Sequence, residues 1–163
     1  VQQSPTNVEM MRLLGGTATP MGFGDVYTAL QAGILDGAEN NELALTDNGH
    51  GDICKYYSYD MHQMVPDLLV ANYEFLQNLS DEERAIFDEG FEIVKDTEQA
   101  AWEDAVADAK EKAENEQHVN FLYPDTAPFQ EAMAPLHTSV LAENPELQPI
   151  YDRIQEYNAE YTA

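Results

Sequence analysis

The chain has 163 residues, with 31 acidic and seven basic side chains, which gives a formal net charge of −24. This charge excludes a nucleic-acid-binding surface, since phosphate recognition needs clustered Lys and Arg, and it disfavours docking on anionic lipid. A hydrophobic content of 44% and a single cysteine indicate a domain with a real core and no internal disulfide. No apolar run approaches the roughly 20 residues of a membrane span.

Helix and strand signals alternate along the first half of the chain, which favours an α/β fold. The predicted elements begin with the end of a strand at Val1-Gln2-Gln3 and a helix that a capping box at Thr6-x-x-Glu9 opens and Gly15-Gly16 ends. An extended segment at Thr19-Pro20-Met21, a loop at Gly22-Phe23-Gly24, a helix capped by Asp25 and ended by Gly33, and a brief strand at Ile34-Leu35 follow. The last elements before residue 80 are a short helix within residues 41–48, strands at Ile53–Tyr59 and Leu68–Ala71, and a short helix capped by Asn72.

The second half of the chain is dominated by one long helical pattern. Ser80-x-x-Glu83 has the spacing of a capping box, and apolar residues then recur at helical intervals to about Glu116. Such a helix is about 50 Å long, so we expect it to cross between two domains. A last strand follows at Val119–Leu122. The two helices that complete the chain start at Thr126 with Pro128 and at Asn144-Pro145, and the second is predicted to pack on one face.

A polar run directly follows the predicted strand at Ile34-Leu35. It reads Asp36-Gly37-Ala38-Glu39-Asn40-Asn41. Ligands of open α/β sheets bind beyond the carboxyl ends of strands, and an Asn side chain can donate and accept hydrogen bonds at once, which suits sugar hydroxyls and carboxylates. The alternative is a plain turn before a helix cap, because Asp-Gly and Asn are common turn residues.

Two further side chains allow two interpretations each. Phe23, between two glycines, is either a stacking platform for a ring or a plug on a local core. His62, which follows the Tyr-rich strand, is either a ligand residue or a satisfied structural group. The sequence has no G-x-S-x-G nucleophile elbow, none of its four histidines has metal-ligand spacing, and Cys54 lies mid-strand as a small buried hydrophobe would. We therefore predict no catalytic residue and no metal site.

Read together, these segments resemble a known family. Residues 19–41 read TPMGFGDVYTALQAGILDGAENN. This run closely resembles the extracytoplasmic solute-binding proteins of TRAP transporters, the DctP-like family, whose pattern there is P-x-x-F-x-E-V-Y-x-A-L-Q-x-G-x-x-D-G-x-E-N. Asp25 replaces the usual Glu. The resemblance continues through the Tyr-rich strand, the Ser80 helix and the Phe129 helix, and it covers essentially the whole chain.

The resemblance implies an α/β fold of two hinged lobes, of which this chain matches the C-terminal one together with a long interlobe helix. The implied divisions are residues 1–65 for the first part of the ligand-binding lobe, 66–79 for a crossover toward the N-terminal lobe, 80–116 for the interlobe helix and 117–163 for the remainder. The N-terminal lobe and a signal peptide are expected upstream of Val1. The implied location is periplasmic or extracellular, with a lipoprotein anchor as one option.

The resemblance also implies a non-catalytic function and its partners. The ligand is a small organic acid, delivered to TRAP membrane subunits. The form Glu39-Asn40-Asn41, with Asp60-x-His62 and Val65-Pro66-Asp67 after it, looks most like members that bind hexuronates such as glucuronate or galacturonate; a dicarboxylate or another sugar acid is the alternative. Members that bridge the ligand through a metal tend to have Trp after the Glu, where Asn40 stands, so we expect neither metal nor cofactor.

Site residues follow from the resemblance one by one. Phe23 matches the aromatic residue against the ligand, Asn40 matches the polar residue that hydrogen-bonds it, and His62 matches a histidine near ligand or ordered water. The other residues expected at the site are Glu39, Asn41, Gln3, Ser4 and Asn7. We expect Phe23, Asn40 and His62 to lie on one side of the lobe, around the ends of neighbouring strands.

The family's ligand carboxylate is bound by an arginine that would stand just before Val1. The arginines of this chain are Arg12, Arg84 and Arg153, all on predicted helices, and none substitutes for it. We therefore expect weak binding by this chain and strong binding by a full-length protein, since a bidentate guanidinium is the strongest contact of such a site.

Two other function classes remain open from the residues. One is a hydrolase of acidic sugars built on paired carboxylates, for which the sequence offers no motif. The other is a plain interaction domain. The apolar stripe of Phe87, Phe91 and Val94 is expected to lack packing partners within the chain, and a second copy of the chain could cover it.

Overall fold

The structure, a computed structural model, describes residues 1–161. In this part of the chain it has seven α-helices and two β-strands, in the order α1 Pro5–Leu13, α2 Phe23–Gln31, α3 Leu43–Thr46, β1 Tyr56–Ser58, α4 Tyr73–Gln77, α5 Asp81–Asn115, β2 Asn120–Leu122, α6 Ala127–Glu143 and α7 Gln148–Tyr161. Single turns of 3₁₀ helix lie at His50–Asp52 and Pro145–Leu147. The fold is α/β, rich in helix and with a small parallel sheet.

The chain forms two compact units, each assembled from separate segments. The first unit contains residues 1–38, residues 60–62 and the segment that begins at Tyr123. The second unit contains residues 39–59 and 63–122. The N-terminal and C-terminal helices therefore belong to one unit, and the two strands and α5 belong to the other.

The core of the first unit is formed by helices that each bury one apolar face. Val26, Ala29 and Leu30 of α2 are buried, and their i, i+3, i+4 spacing places them on one side of that helix. Met10 of α1 and Met133 of α6 are also buried, and these two helices pack against each other. The buried face of α2 thus follows the apolar periodicity of the sequence, whereas α1 buries Met10 together with the polar Asn7.

The second unit is centred on a parallel pair of strands. Tyr57 of β1 is in register with Phe121 of β2. Both rings pack against a buried cluster of Leu45 from α3, Ala113 from α5 and Val119. A short connection joins the end of α5 to β2. It is closed by a hydrogen bond from the backbone N–H of Val119 to the carbonyl of Ala113 at 2.9 Å.

A polar network fastens the segments around this core. The Lys55 ammonium donates to the backbone carbonyls of Gly51 and Gln117, both at 2.7 Å. The Gln117 amide nitrogen donates to the carbonyl of Leu45 at 3.0 Å and to the Asp52 carboxylate at 3.2 Å. These four bonds connect α3, the 3₁₀ turn, the start of β1 and the end of α5.

The predicted long helix is confirmed as α5. Ser80 is its N-cap, and the capping box is complete: the Ser80 N–H donates to the Glu83 carboxylate at 2.8 Å, and the Glu83 N–H donates to the Ser80 hydroxyl at 3.3 Å. The bonds from Ser80 lower the pKa of Glu83. Asn72 also caps α4 as predicted, since its side chain accepts from the Phe75 N–H at 2.9 Å.

The predicted caps of the first two helices are wrong. α1 begins at Pro5, with Ser4 as its N-cap, so the expected box of Thr6 and Glu9 lies inside the helix. Pro5 explains the earlier start, because its fixed φ suits the first helical turn. α2 begins at Phe23, and Asp25 lies in its first turn rather than at its cap. Phe23, expected on a loop, is therefore a helical residue.

The predicted strands at Ile34-Leu35 and Leu68–Ala71 are wrong. The N–H groups of Ile34 and Leu35 both donate to the carbonyl of Ala29, at 2.9 and 3.3 Å, so this segment closes the end of α2 after the left-handed Gly33. Residues 68–71 are exposed and have no strand assignment. β-branched and Leu residues form a strand only where a partner strand is available.

Three other strand or packing predictions need correction. The strand at Ile53–Tyr59 is shortened to β1. Val1 makes backbone bonds to Thr19 and Met21 but is not part of an assigned strand. The predicted packed face of the terminal helix is wrong, because Ile150, Ile154 and Tyr157 of α7 are exposed and α7 has no buried residue up to Tyr161.

Candidate functional site

The loop of Glu39, Asn40 and Asn41 lies in the second unit, just before α3. Asn40 Oδ1 accepts from the Asn41 N–H at 2.9 Å, and Asn41 Oδ1 accepts from the Leu43 N–H at 3.2 Å. These are the local bonds of a turn that precedes a helix. The polar run thus has the turn geometry that was the alternative to a ligand site in the sequence analysis. The turn leaves the Asn40 side chain exposed.

The same geometry determines which chemistry Asn40 presents. Its side-chain oxygen is already bonded to the Asn41 N–H. Oδ1 keeps one further lone pair, and the Nδ2 amide carries two donor hydrogens, so donors outnumber acceptors on the rest of the side chain. Asn40 therefore presents donors, which suit carboxylate and hydroxyl oxygens. Its backbone carbonyl accepts a bond from the Tyr57 hydroxyl at 2.9 Å.

His62 lies in the first unit and is bonded to a carboxylate. Its Nδ1 is 2.5 Å from Asp60 Oδ1, and its backbone N–H donates to the same oxygen at 3.3 Å. Both side chains are largely covered. Met61 between them has a positive φ of 53°, which turns the chain so that both bonds form. Asp60 thereby fixes the ring orientation and leaves Nε2 as the other reactive position.

Phe23, also in the first unit, is the first residue of α2, and its side chain is 49% exposed. It follows Gly22, the N-cap of that helix. A half-exposed aromatic ring at a helix start presents apolar surface to its surroundings.

The three N-terminal candidates differ in burial. Gln3 is exposed and Ser4 is half-buried, and the Ser4 carbonyl accepts from the Val8 N–H at 3.0 Å. Asn7 is only 4% exposed, and within residues 1–161 its Nδ2 atom has no hydrogen-bond partner. A buried amide donor without a partner is costly, so such a group in a native protein usually has a role or an external partner.

Burial shifts the pKa of two groups that nucleophilic chemistry could use. Burial raises the pKa of the Cys54 thiol, which keeps it protonated and weakly nucleophilic. Burial also lowers the pKa of His50, so this histidine is neutral at neutral pH.

The lowered pKa of His50 predicts a loss of stability in acid. In the unfolded chain the His50 imidazole takes up a proton at its ordinary pKa of about 6.5, whereas in the folded protein it does so only at a lower pH. The free energy of unfolding should therefore fall as the pH drops below about 6.5, and it should stop falling once the pH is below the pKa of the folded state. Denaturant unfolding at several pH values between 5 and 7.5 measures this decline. In a His50→Gln variant the decline should be shallower; an identical slope in both proteins would contradict the prediction.

Two further features concern residues 1–161. None of the helices in this range is both long enough and apolar enough to cross a membrane. The same range contains no cluster of three or more His, Cys, Asp or Glu side chains arranged to hold a metal ion.

The predicted site residues fall into two groups by unit. Phe23, His62, Gln3, Ser4 and Asn7 belong to the first unit. Glu39, which is half-buried, Asn40 and Asn41 belong to the second. The expectation that Phe23, Asn40 and His62 share one side of the lobe stays a prediction.

Two features of these residues were not predicted from the sequence. One is the hydrogen bond from the Tyr57 hydroxyl to the Asn40 carbonyl, since Tyr57 was expected only to be part of a Tyr-rich strand. The other is the burial of the Asn7 amide. The only signal for the first was the density of tyrosines in residues 56–59.

The chain is similar in sequence to a family of known proteins over most of its length. A family model described as DctP, bacterial extracellular solute-binding protein, family 7, matches residues 1–144. The uncharacterized protein YiiZ of Salmonella typhimurium is 40% identical over 155 residues, which is 95% of this chain and 47% of that protein. The chain spans about half the length of the curated relatives it matches.

Solved structures agree with the family match. A TRAP periplasmic solute binding protein from Anaerococcus prevotii DSM 20548, with bound D-glucuronate, is 62% identical with a TM-score of 0.89, over 99% of this chain and 52% of that one. One from Xanthobacter autotrophicus Py2, with bound β-D-galacturonate, is 33% identical with a TM-score of 0.85, over 96% of this chain and 52% of that one.

Proposed function

Because the chain belongs to family 7 of the bacterial extracellular solute-binding proteins, we propose that it captures a hexuronate, glucuronate or galacturonate, outside the cytoplasm for delivery to a TRAP membrane transporter. The similarity to a glucuronate-bound protein at 62% identity supports this ligand class. The location proposed for the full-length protein is periplasmic or extracellular, after a signal peptide and with or without a lipid anchor.

The observation in this structure that carries the proposal is the polarity of Asn40. Its oxygen accepts a bond within the turn, and the side chain with its two amide donor hydrogens is exposed. A hexuronate is a sugar ring that carries several hydroxyl groups and one carboxylate, and the oxygens of these groups accept hydrogen bonds. Asn7 adds a second amide donor, which is buried and has no partner within residues 1–161. A ligand that supplies acceptor oxygens would satisfy such donors.

The remaining candidates have complementary proposed roles. Phe23 provides an apolar ring for the face of a sugar. His62, oriented by Asp60, offers Nε2 to a hydroxyl or an ordered water. Gln3, Ser4, Glu39 and Asn41 are proposed as flanking polar contacts. The protein needs neither a metal nor a cofactor for this role.

The two other function classes have less support. A hydrolase of acidic sugars would need a pair of catalytic carboxylates, and the sequence offers no motif for one. A plain interaction domain does not explain the buried, unsatisfied amide of Asn7. A dicarboxylate or another sugar acid remains the alternative ligand within the same family.

The apolar surface of α5 is proposed to contact the N-terminal lobe of the full-length protein. Only Ala109 and Ala113 of this helix are buried. The large apolar residues that are exposed along it are Ile86, Phe87, Ile93, Val94 and Trp102. Phe87 does meet the rings of Phe75 and Phe91, at 5.4 and 5.9 Å between centroids, so the expected stripe has some partners in the chain. The range 80–116 keeps its proposed role as the interlobe helix, and 66–79 as the crossover before it.

A ligand panel tests the proposed function. Calorimetric titration of the full-length protein with glucuronate, galacturonate and a dicarboxylate such as succinate should give tight binding for a hexuronate only. The physical reason is that ring hydroxyls provide acceptors for several side-chain amides, whereas a dicarboxylate leaves some of these donors unpaired. Binding of succinate without a hexuronate would overturn the ligand class.

A further inference from the structure

The Tyr57 side chain is fixed by its surroundings. It lies on β1 in register with Phe121, and the two ring centroids are 5.6 Å apart. The Tyr59 ring meets it edge-on at 5.1 Å. The ring is half-buried against the core of the second unit. The position of the Tyr57 hydroxyl is therefore determined by packing rather than by the bond that it makes.

This fixed hydroxyl bonds to the Asn40 loop. It donates to the Asn40 carbonyl at 2.9 Å, across 17 positions of the sequence. The other bonds of the turn are local, from Asn41 N–H to the Asn40 side chain and from Leu43 N–H to the Asn41 side chain. The local bonds set the shape of the turn, whereas the Tyr57 bond connects the turn to the core.

Two hydrogen bonds at Asn40 involve the same peptide unit: one from the Tyr57 hydroxyl to the Asn40 carbonyl, and one from the Asn41 N–H to Asn40 Oδ1. The carbonyl belongs to the peptide unit whose N–H, that of Asn41, donates to Asn40 Oδ1. Holding that carbonyl from the core fixes the peptide plane, and the plane fixes the side-chain oxygen through the Asn41 N–H. The direction of the two Nδ2 donor hydrogens follows from the position of Oδ1, because the amide group is planar.

We propose that Tyr57 is a positioning residue for ligand binding: its hydroxyl holds the Asn40 peptide so that the Asn40 amide donors stay aimed at a carboxylate or hydroxyl oxygen of the ligand. This inference rests on the proposed function. Tyr57 acts through Asn40, so its effect on affinity requires the Asn40 side chain.

A double-mutant cycle in the full-length protein tests this dependence, with D-glucuronate as the probe in calorimetry. Tyr57→Phe keeps the ring and removes the hydroxyl, and it should weaken binding about threefold, which is less than the loss caused by Asn40→Ala itself. In the Asn40→Ala background the same change should have no further effect. The matched control is Tyr56→Phe, because Tyr56 precedes Tyr57 on the same strand and is exposed; its affinity should be unchanged. An equal loss from Tyr57→Phe in both backgrounds, or no loss in either, would overturn the proposal.

A second measurement does not depend on the ligand. Amide hydrogen exchange at Asn41 and Leu43 should be faster in Tyr57→Phe than in the wild type or in Tyr56→Phe, because the turn loses its bond to the core. Unchanged exchange would overturn the positioning role. If exchange accelerates but the wild type binds no hexuronate, the proposed ligand fails while the holding of the turn by Tyr57 stands.

Discussion

Residues 1–163 by themselves are expected to bind glucuronate or galacturonate at least about 100-fold more weakly than the full-length protein. The family resemblance implies an arginine before Val1 that forms two bonds with the ligand carboxylate, and hydrogen bonds to charged groups contribute roughly 1.5–3 kcal/mol each. At about 1.4 kcal/mol per tenfold, the loss of both bonds is worth 10²-fold or more. We expect an N-terminal lobe of the full-length protein to add further contacts to the ligand.

Parallel titrations of the two proteins with the same ligand measure this difference. A sedimentation experiment on residues 1–163 is the matched control, because the exposed apolar side chains of α5 favour self-association. Binding should be weak at protein concentrations where this chain is monomeric. Equal affinities in the two proteins would show that the upstream arginine and the N-terminal lobe contribute nothing.

Local signals explain why much of the helical structure could be predicted. The Ser80 capping box and the apolar periodicity after it are contained within a few residues, and α5 begins after Ser80 as they indicate. Strands depend on partners that are distant in sequence. β1 exists because Asn120–Leu122 pairs with it across more than 60 residues, whereas residues 68–71, with equally apolar side chains, have no strand partner and are exposed.

For the candidate site, the sequence suggests residue types but carries no information on their geometry. The sequence indicated Asn40 through its place in a polar run and through the family pattern. The bond from Tyr57 to its carbonyl depends on how β1 packs, and no local pattern reports that packing. The burial of Asn7 was equally hidden, because Asn7 lies in the first turn of α1 and an Asn side chain is usually exposed.

The Asn40→Asp variant of the full-length protein is expected to lose hexuronate binding by about 100-fold or more. The aspartate is nearly the same size, and its Oδ1 can still accept from the Asn41 N–H, so the turn before α3 is retained. The two donor hydrogens of Nδ2 are replaced by an anionic oxygen. The new carboxylate oxygen would face an acceptor oxygen of the ligand, so neither oxygen would receive a hydrogen bond from the other. The ligand is also an anion, and two negative charges repel strongly where water is excluded. Asn40→Ala, which removes the donors without adding a charge, should cost only about 1 kcal/mol, as for one ordinary hydrogen bond.

Asn72→Asp is the matched control for this charge. Asn72 also lies in the second unit, and its Oδ1 accepts from the Phe75 N–H at 2.9 Å as the cap of α4, a bond that an aspartate preserves. The control thus makes the same chemical change and adds the same charge to a protein of net charge −24. Calorimetry should give near wild-type affinity for Asn72→Asp and a large loss for Asn40→Asp. Similar small losses in both variants would show that Asn40 acts only through the overall charge, and the donors of Asn40 would then have no part in binding.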